Sequence, residues 1–186
     1  DDTADLDDAA DKIRISKTLD LAASCSSDNA VLVFASIYDK FLEKLKHEGG
    51  YVIEGEDKEK LQRVLWHDGH LNAGIVAQHA VNITGQAGID LPEGKQFLIV
   101  PETGTGPDYP FSGEKLTVTM ALYKVKDIDE AIALTNSIQA YQGQGHSWLA
   151  GFVLPGCHGE RAKLSLQGHL GRRAWYLLGF GDADSF

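Results

Sequence analysis

Cys25 is the residue of this chain best placed for covalent chemistry. It lies in Leu21-Ala22-Ala23-Ser24-Cys25-Ser26-Ser27-Asp28-Asn29, a small and polar run between a helix-like segment and the strongly apolar Ala30-Val31-Leu32-Val33. Such neighbours need not bury a thiol, so its sulfur can meet a substrate. The thiolate is the reactive form, favoured by partial exposure and a lowered pKa. These features point to Cys25 as a nucleophile. The alternative is a structural thiol, since free cysteines are among the most buried residue types. No neighbouring His or Lys in sequence explains its activation, so a partner must come from elsewhere in the fold.

Two further residues carry weaker signals. Glu114 follows a segment with three prolines and three glycines between Pro101 and Gly113, a loop composition that is usually functional or disordered. It is expected to open a strand. Ligands of open α/β sheets bind near strand ends, so a carboxylate there can hold a ribose hydroxyl; a solvated loop glutamate is the simpler reading. His146, in Gly143-Gln144-Gly145-His146-Ser147, is a general base, a ligand contact or a polar loop residue. His67, His70 and His79 have neither the spacing nor the cysteine partners of a metal site, so no metal is expected. Cys157-His158 is weaker still. Gly104-Thr105-Gly106 lacks the third glycine and the following helix of a dinucleotide fingerprint.

The elements that must position these residues alternate in type. Helices are predicted over 5–22, 36–47, 57–66, 71–87 and 127–140. Strands are predicted over 29–35, 51–53, 96–100, 116–125 and 148–154, with a further one near 174–178. Strands alternating with helices predict an α/β fold, an open and mostly parallel sheet with flanking helices. The chain has 186 residues and a formal net charge of -10. That balance argues against unspecific nucleic-acid binding, which needs clustered Lys and Arg. The apolar run from Ala30 to Ile37 is too short to span a bilayer, and no secretory signal opens the chain. Reduced thiols in a cytoplasmic protein follow as the expectation for Cys25 and Cys157. The start at Asp1-Asp2-Thr3, without Met, is expected of a fragment or a processed chain.

Together these residues resemble the catalytic domain of the aldehyde dehydrogenase superfamily, in its coenzyme A-acylating branch. Four stretches carry the likeness: Thr3-Ala4-Asp5-Leu6 with Ala9; Ser24-Cys25-Ser26-Ser27-Asp28-Asn29; Gly106-Pro107-Asp108-Tyr109-Pro110-Phe111-Ser112-Gly113-Glu114-Lys115-Leu116; and Gly145-His146-Ser147. The resemblance implies that Cys25 attacks a short aldehyde, that hydride passes to NAD or NADP, and that coenzyme A takes the acyl group from the resulting thioester. It implies Glu114 on the nicotinamide ribose and His146 near the acyl or coenzyme A pocket. It also implies a homo-oligomer. Residues 1–154 are read as the catalytic domain and 155–186 as a tail that departs from the family pattern; Thr117-Val118-Thr119 also lacks the proline usual after the glutamate motif. The family's dinucleotide-binding domain is not among these residues, so the isolated chain is expected to be inactive. Two rivals are a hydrolytic aldehyde dehydrogenase and a non-catalytic, self-associating interaction module.

Overall fold

A computed structural model describes residues 1, 3–25 and 27–141. The predicted strands 148–154 and 174–178, the tail from 155, Cys157 and His146 lie outside the described residues. Asp5 starts α1 (Leu6–Thr18), its carboxylate accepting from the Asp7 and Asp8 N–H groups, which otherwise lack intrahelical partners. Leu6, Ala9, Ala10 and Ile13 form its buried stripe. Next come β1 (Ala30–Phe34), α2 (Tyr38–His47), β2 (Gly50–Val52), α3 (Gly55–Leu65), β3 (Trp66–His67), β4 (His70–Leu71), α4 (Ala80–Ala87), β5 (Phe97–Glu102), β6 (Thr119–Val125) and α5 (Ile128–Tyr141).

The main sheet has four strands in the order β1-β6-β5-β2, all parallel. β5 and β6 are buried at nearly every position, as parallel strands covered on both faces must be. α1 packs on α2, and α3 on α4. The α/β expectation therefore holds.

Most boundaries differ from the sequence reading by one or two residues, and three differ by more. The first helix ends at Thr18, not 22. Leu19–Ala22 form a tight 3-10 turn in which Asp20, Leu21 and Ala22 have φ of 51°, 51° and 56°, a left-handed path that L side chains take at a cost. Residues 71–87 are not one helix. Asp68 (φ 51°) and Gly69 (φ 77°) make a two-residue turn that pairs β3 with β4, Trp66 opposite Leu71 and His67 opposite His70. A 3-10 turn, Ala73–Ile75, follows, with the Asn72 side chain accepting from Gly74 N–H at 2.9 Å, and helix begins only at Ala80. Finally, β6 starts at Thr119, not 116, because Leu116 has φ 46°, outside the extended region.

The connection from β5 to β6 determines where the site forms. The two strands are parallel neighbours, Leu98 opposite Thr119. The chain must therefore return from the carboxyl end of one to the amino end of the other. Residues 103–118 make that return without an α-helix, using the 3-10 turn Pro110–Ser112, which contacts both strands. Phe111 and Ser112 are fully buried, and Trp66 meets the Phe111 ring edge-on at 4.9 Å.

Candidate active site

A buried loop needs internal partners for its backbone polar groups, and 103–118 obtains them from charged and polar side chains. Lys115, fully buried, donates through Nζ to the carbonyls of Phe111 and Gly113, both at 2.7 Å. Ser112 Oγ accepts from Gly106 N–H at 3.1 Å and donates to Tyr109 O at 2.7 Å. At the loop's start, Glu102 accepts from Thr103 N–H at 2.9 Å and pairs with Lys58 Nζ at 2.9 Å. Lys58 Nζ also donates to Pro101 O at 3.0 Å. Tyr123 Oη donates to Gly104 O at 3.0 Å. Burial, then the nearby Glu102 carboxylate, push this phenol well above its usual range, so it stays protonated as a donor. At Gly104 the backbone passes close to the exposed Tyr109 ring: a Cβ there would lie 2.5 Å from it, so the ring would have to move.

These contacts deliver Glu114 to the amino-terminal ends of β6 and β1, where Cys25 also stands. Cys25 is a free, exposed thiol, as its polar neighbours predict. Glu114 is half-buried. The two residues line one open pocket of about 260 Å³, counting its mouth, together with Lys17, Ala22, Ser24, Ser27, Asn29 and Leu116. The structure thus brings together two of the three predicted site residues. Glu114 belongs to the crossover loop and does not open the strand.

The sequence reading missed the polar floor of this pocket. Lys17 continues the buried stripe of α1 one turn beyond Ile13 and is 2% exposed; that spacing was the available signal. Its Nζ donates to Ser27 Oγ at 3.2 Å, and Ser27 Oγ donates to Ser16 O at 3.2 Å. Asp28 is fully buried, and neither carboxylate oxygen reaches hydrogen-bonding geometry with a partner. Burial pushes Asp28 up to about 6, against the stabilising pull of the Ser16 hydroxyl and Lys17. Burial brings Lys17 down to about 7, opposed by Asp28. Burial and the neighbouring Lys17 hold Lys115 well below its ordinary value. Both shifts to the lysines favour neutral amines, as desolvation of a cation must. Asn29 Nδ2 donates to Gly113 O at 2.6 Å.

An exposed thiol beside a half-buried carboxylate suits covalent capture of an electrophilic carbonyl. Among the described residues, no group of three His, Cys, Asp or Glu side chains could hold a metal ion. Among those same residues, no helix is long and apolar enough to cross a membrane.

No protein-family model matches the chain. Over 149 residues, 79% of its length, it is 42% identical to the sulfoacetaldehyde dehydrogenase (acylating) of Cupriavidus necator, covering 30% of that protein. It is 37% identical over 147 residues to the bifunctional aldehyde-alcohol dehydrogenase AdhE of Escherichia coli, covering 79% of this chain and 16% of that one. An acetylating aldehyde dehydrogenase from Geobacillus thermoglucosidasius superimposes with a TM-score of 0.73 at 37% identity, over 74% of this chain and 30% of the other. The chain thus spans less than a third of the length of each of these relatives.

Proposed function

We propose, for a chain that is a partial homologue of the acylating aldehyde dehydrogenases, that Cys25 is the nucleophile of a coenzyme A-acylating aldehyde oxidation. The observation that carries this reading is the single pocket shared by the exposed Cys25 thiol and Glu114. The Cys25 sulfur attacks the aldehyde carbon, forming a C–S bond and a thiohemiacetal. Loss of hydride from that carbon leaves a thioester on Cys25. Attack by a second thiol on the acyl carbon then breaks the C–S bond and returns the Cys25 thiolate. A nicotinamide dinucleotide, NAD or NADP, supplies the hydride acceptor when bound, and coenzyme A the accepting thiol. In this reading Glu114 would contact a ribose hydroxyl of that group; its position in the Cys25 pocket supports the assignment. The Cys25 backbone N–H is the proposed donor to the developing oxyanion; His146, outside the described residues, is the proposed contact of the acyl group or coenzyme A.

Acyl transfer between Cys25 and coenzyme A needs no nicotinamide, so these residues can be tested alone. Incubation with acetyl-CoA is expected to add one acetyl group to the Cys25 peptide, removable by excess coenzyme A and absent in Cys25→Ser. Acetylation that is unchanged in Cys25→Ser would overturn the assignment. The isolated 186 residues are expected to form no NAD(P)H from short aldehydes and coenzyme A; robust turnover would contradict that.

A further inference from the structure

We propose that Asn29 and Lys115 are positioning residues: through one shared acceptor, the Gly113 carbonyl, they lock the glutamate loop onto the cysteine loop and so set the separation of Cys25 and Glu114. The inference rests on reading those two residues as one site. Gly113 immediately precedes Glu114, and Asn29 ends the polar run that holds Cys25. Asn29 Nδ2 reaches Gly113 O at 2.6 Å across a sequence separation of 84 residues. Lys115 Nζ reaches the same oxygen at 2.7 Å and ties it to Phe111 O, also at 2.7 Å. A carbonyl oxygen has two lone pairs, so both donors are accommodated. Asn29 is itself fixed to the sheet, its own carbonyl accepting from Ala121 N–H at 3.1 Å. Lys115 is fully buried and Asn29 nearly so, so water competes little for either bond. The geometry therefore joins β6, the cysteine loop and the glutamate loop at one atom.

Charge is not needed for the lock. A neutral amine still carries two N–H groups, the number Lys115 uses toward the two carbonyls. Burial and the neighbouring Lys17, which favour that neutral form, therefore leave the contacts intact.

The test measures loop separation directly. In the full chain carrying Cys157→Ser and Glu114→Cys, a short bis-maleimide links Cys25 to the new thiol. Competition with a monofunctional maleimide gives the effective concentration of one thiol about the other. Asn29→Ala and Lys115→Met, each added separately, are expected to lower that concentration about fivefold or more, the equivalent of one lost hydrogen bond. Leu45→Ala, a remote core truncation, is expected to lower the melting temperature and leave the effective concentration unchanged. Equal cross-linking in parent and both variants would overturn the lock while leaving the shared site standing. Unfolding of both variants would reduce the two residues to a structural role and also overturn it. If the parent fails to cross-link, the reading of Cys25 and Glu114 as one site falls, and the lock with it.

Discussion

Replacing Asp28 with Asn should change how stability depends on pH. Asp28 is fully buried beneath the Cys25 loop, and its carboxylate oxygens have no hydrogen-bond partner. Its pKa rises from 3.8 in the unfolded chain to about 6 in the fold. Between those values the folded state binds more protons than the unfolded state. The stabilisation is therefore complete below pH 3.8 and is lost as pH rises through 6. Across the whole interval the loss is roughly 3 kcal/mol at 1.36 kcal/mol per unit. An asparagine of the same shape does not titrate. It also leaves Lys17 without its counter-charge, which trims the benefit. Relative to the parent, Asp28→Asn should thus gain about 1–3 kcal/mol between pH 4 and 6.5. Urea unfolding at half-unit pH steps reads this difference. Measurements should stop at 6.5, since Lys17 titrates from about 7 upward; its lowered value makes stability rise with pH in that higher window. Parallel stability curves for the two proteins from pH 4 to 6.5 would refute the argument that burial of Asp28 outweighs the pull of Ser16 and Lys17.

Two other substitutions probe the loop that carries Glu114. Gly104→Ala puts a methyl 2.5 Å from the Tyr109 ring. Because that ring is exposed and can swing away, the cost should be about 1 kcal/mol or less, with shifted amide resonances in residues 104–114; a spectrum that leaves this loop unmoved would count against the close approach. Lys58→Met strands the Glu102 carboxylate, whose side chain is 2% exposed. Stability at pH 7 should fall by about 2–4 kcal/mol; equal urea midpoints for the variant and the parent would exclude that pairing as a support of the loop.

The parts of this fold written in local pattern were legible. The Val-rich run Ala30–Phe34 is a strand, with Leu32 and Phe34 only partly covered, and the polar setting of Cys25 does leave it exposed. The prolines and glycines after Pro101 do mark an unusual loop. What was missed depends on distant partners or competing local signals. Lys17 sits on the apolar stripe of α1, where a lysine is tolerated only because Ser27 and Asp28 arrive from another segment. Lys115 looks like a solvated residue beside a glutamate until the crossover buries it among carbonyls it must satisfy. The hairpin at Asp68-Gly69 was signalled by that dipeptide, a strong turn former, but the apolar residues of 71–87 suggested a continuous helix. Glu114 was expected to open the strand and instead stays in the loop, and its approach to Cys25 arises from the pairing of β1 with β6, which no local spacing reveals. His146 lies outside the described residues.

The exposure of one sulfur beside the glutamate loop underlies the whole account, and site-resolved alkylation tests it most directly. Iodoacetamide labelling of the Cys25 peptide, timed in the native chain and in urea, compares the two states at a single residue. The predicted native rate lies within about tenfold of the unfolded one, as for a thiol that needs no opening event. Protection of about a thousandfold, lifted only by global unfolding, would mean that Cys25 is sealed in the core and cannot carry an acyl group.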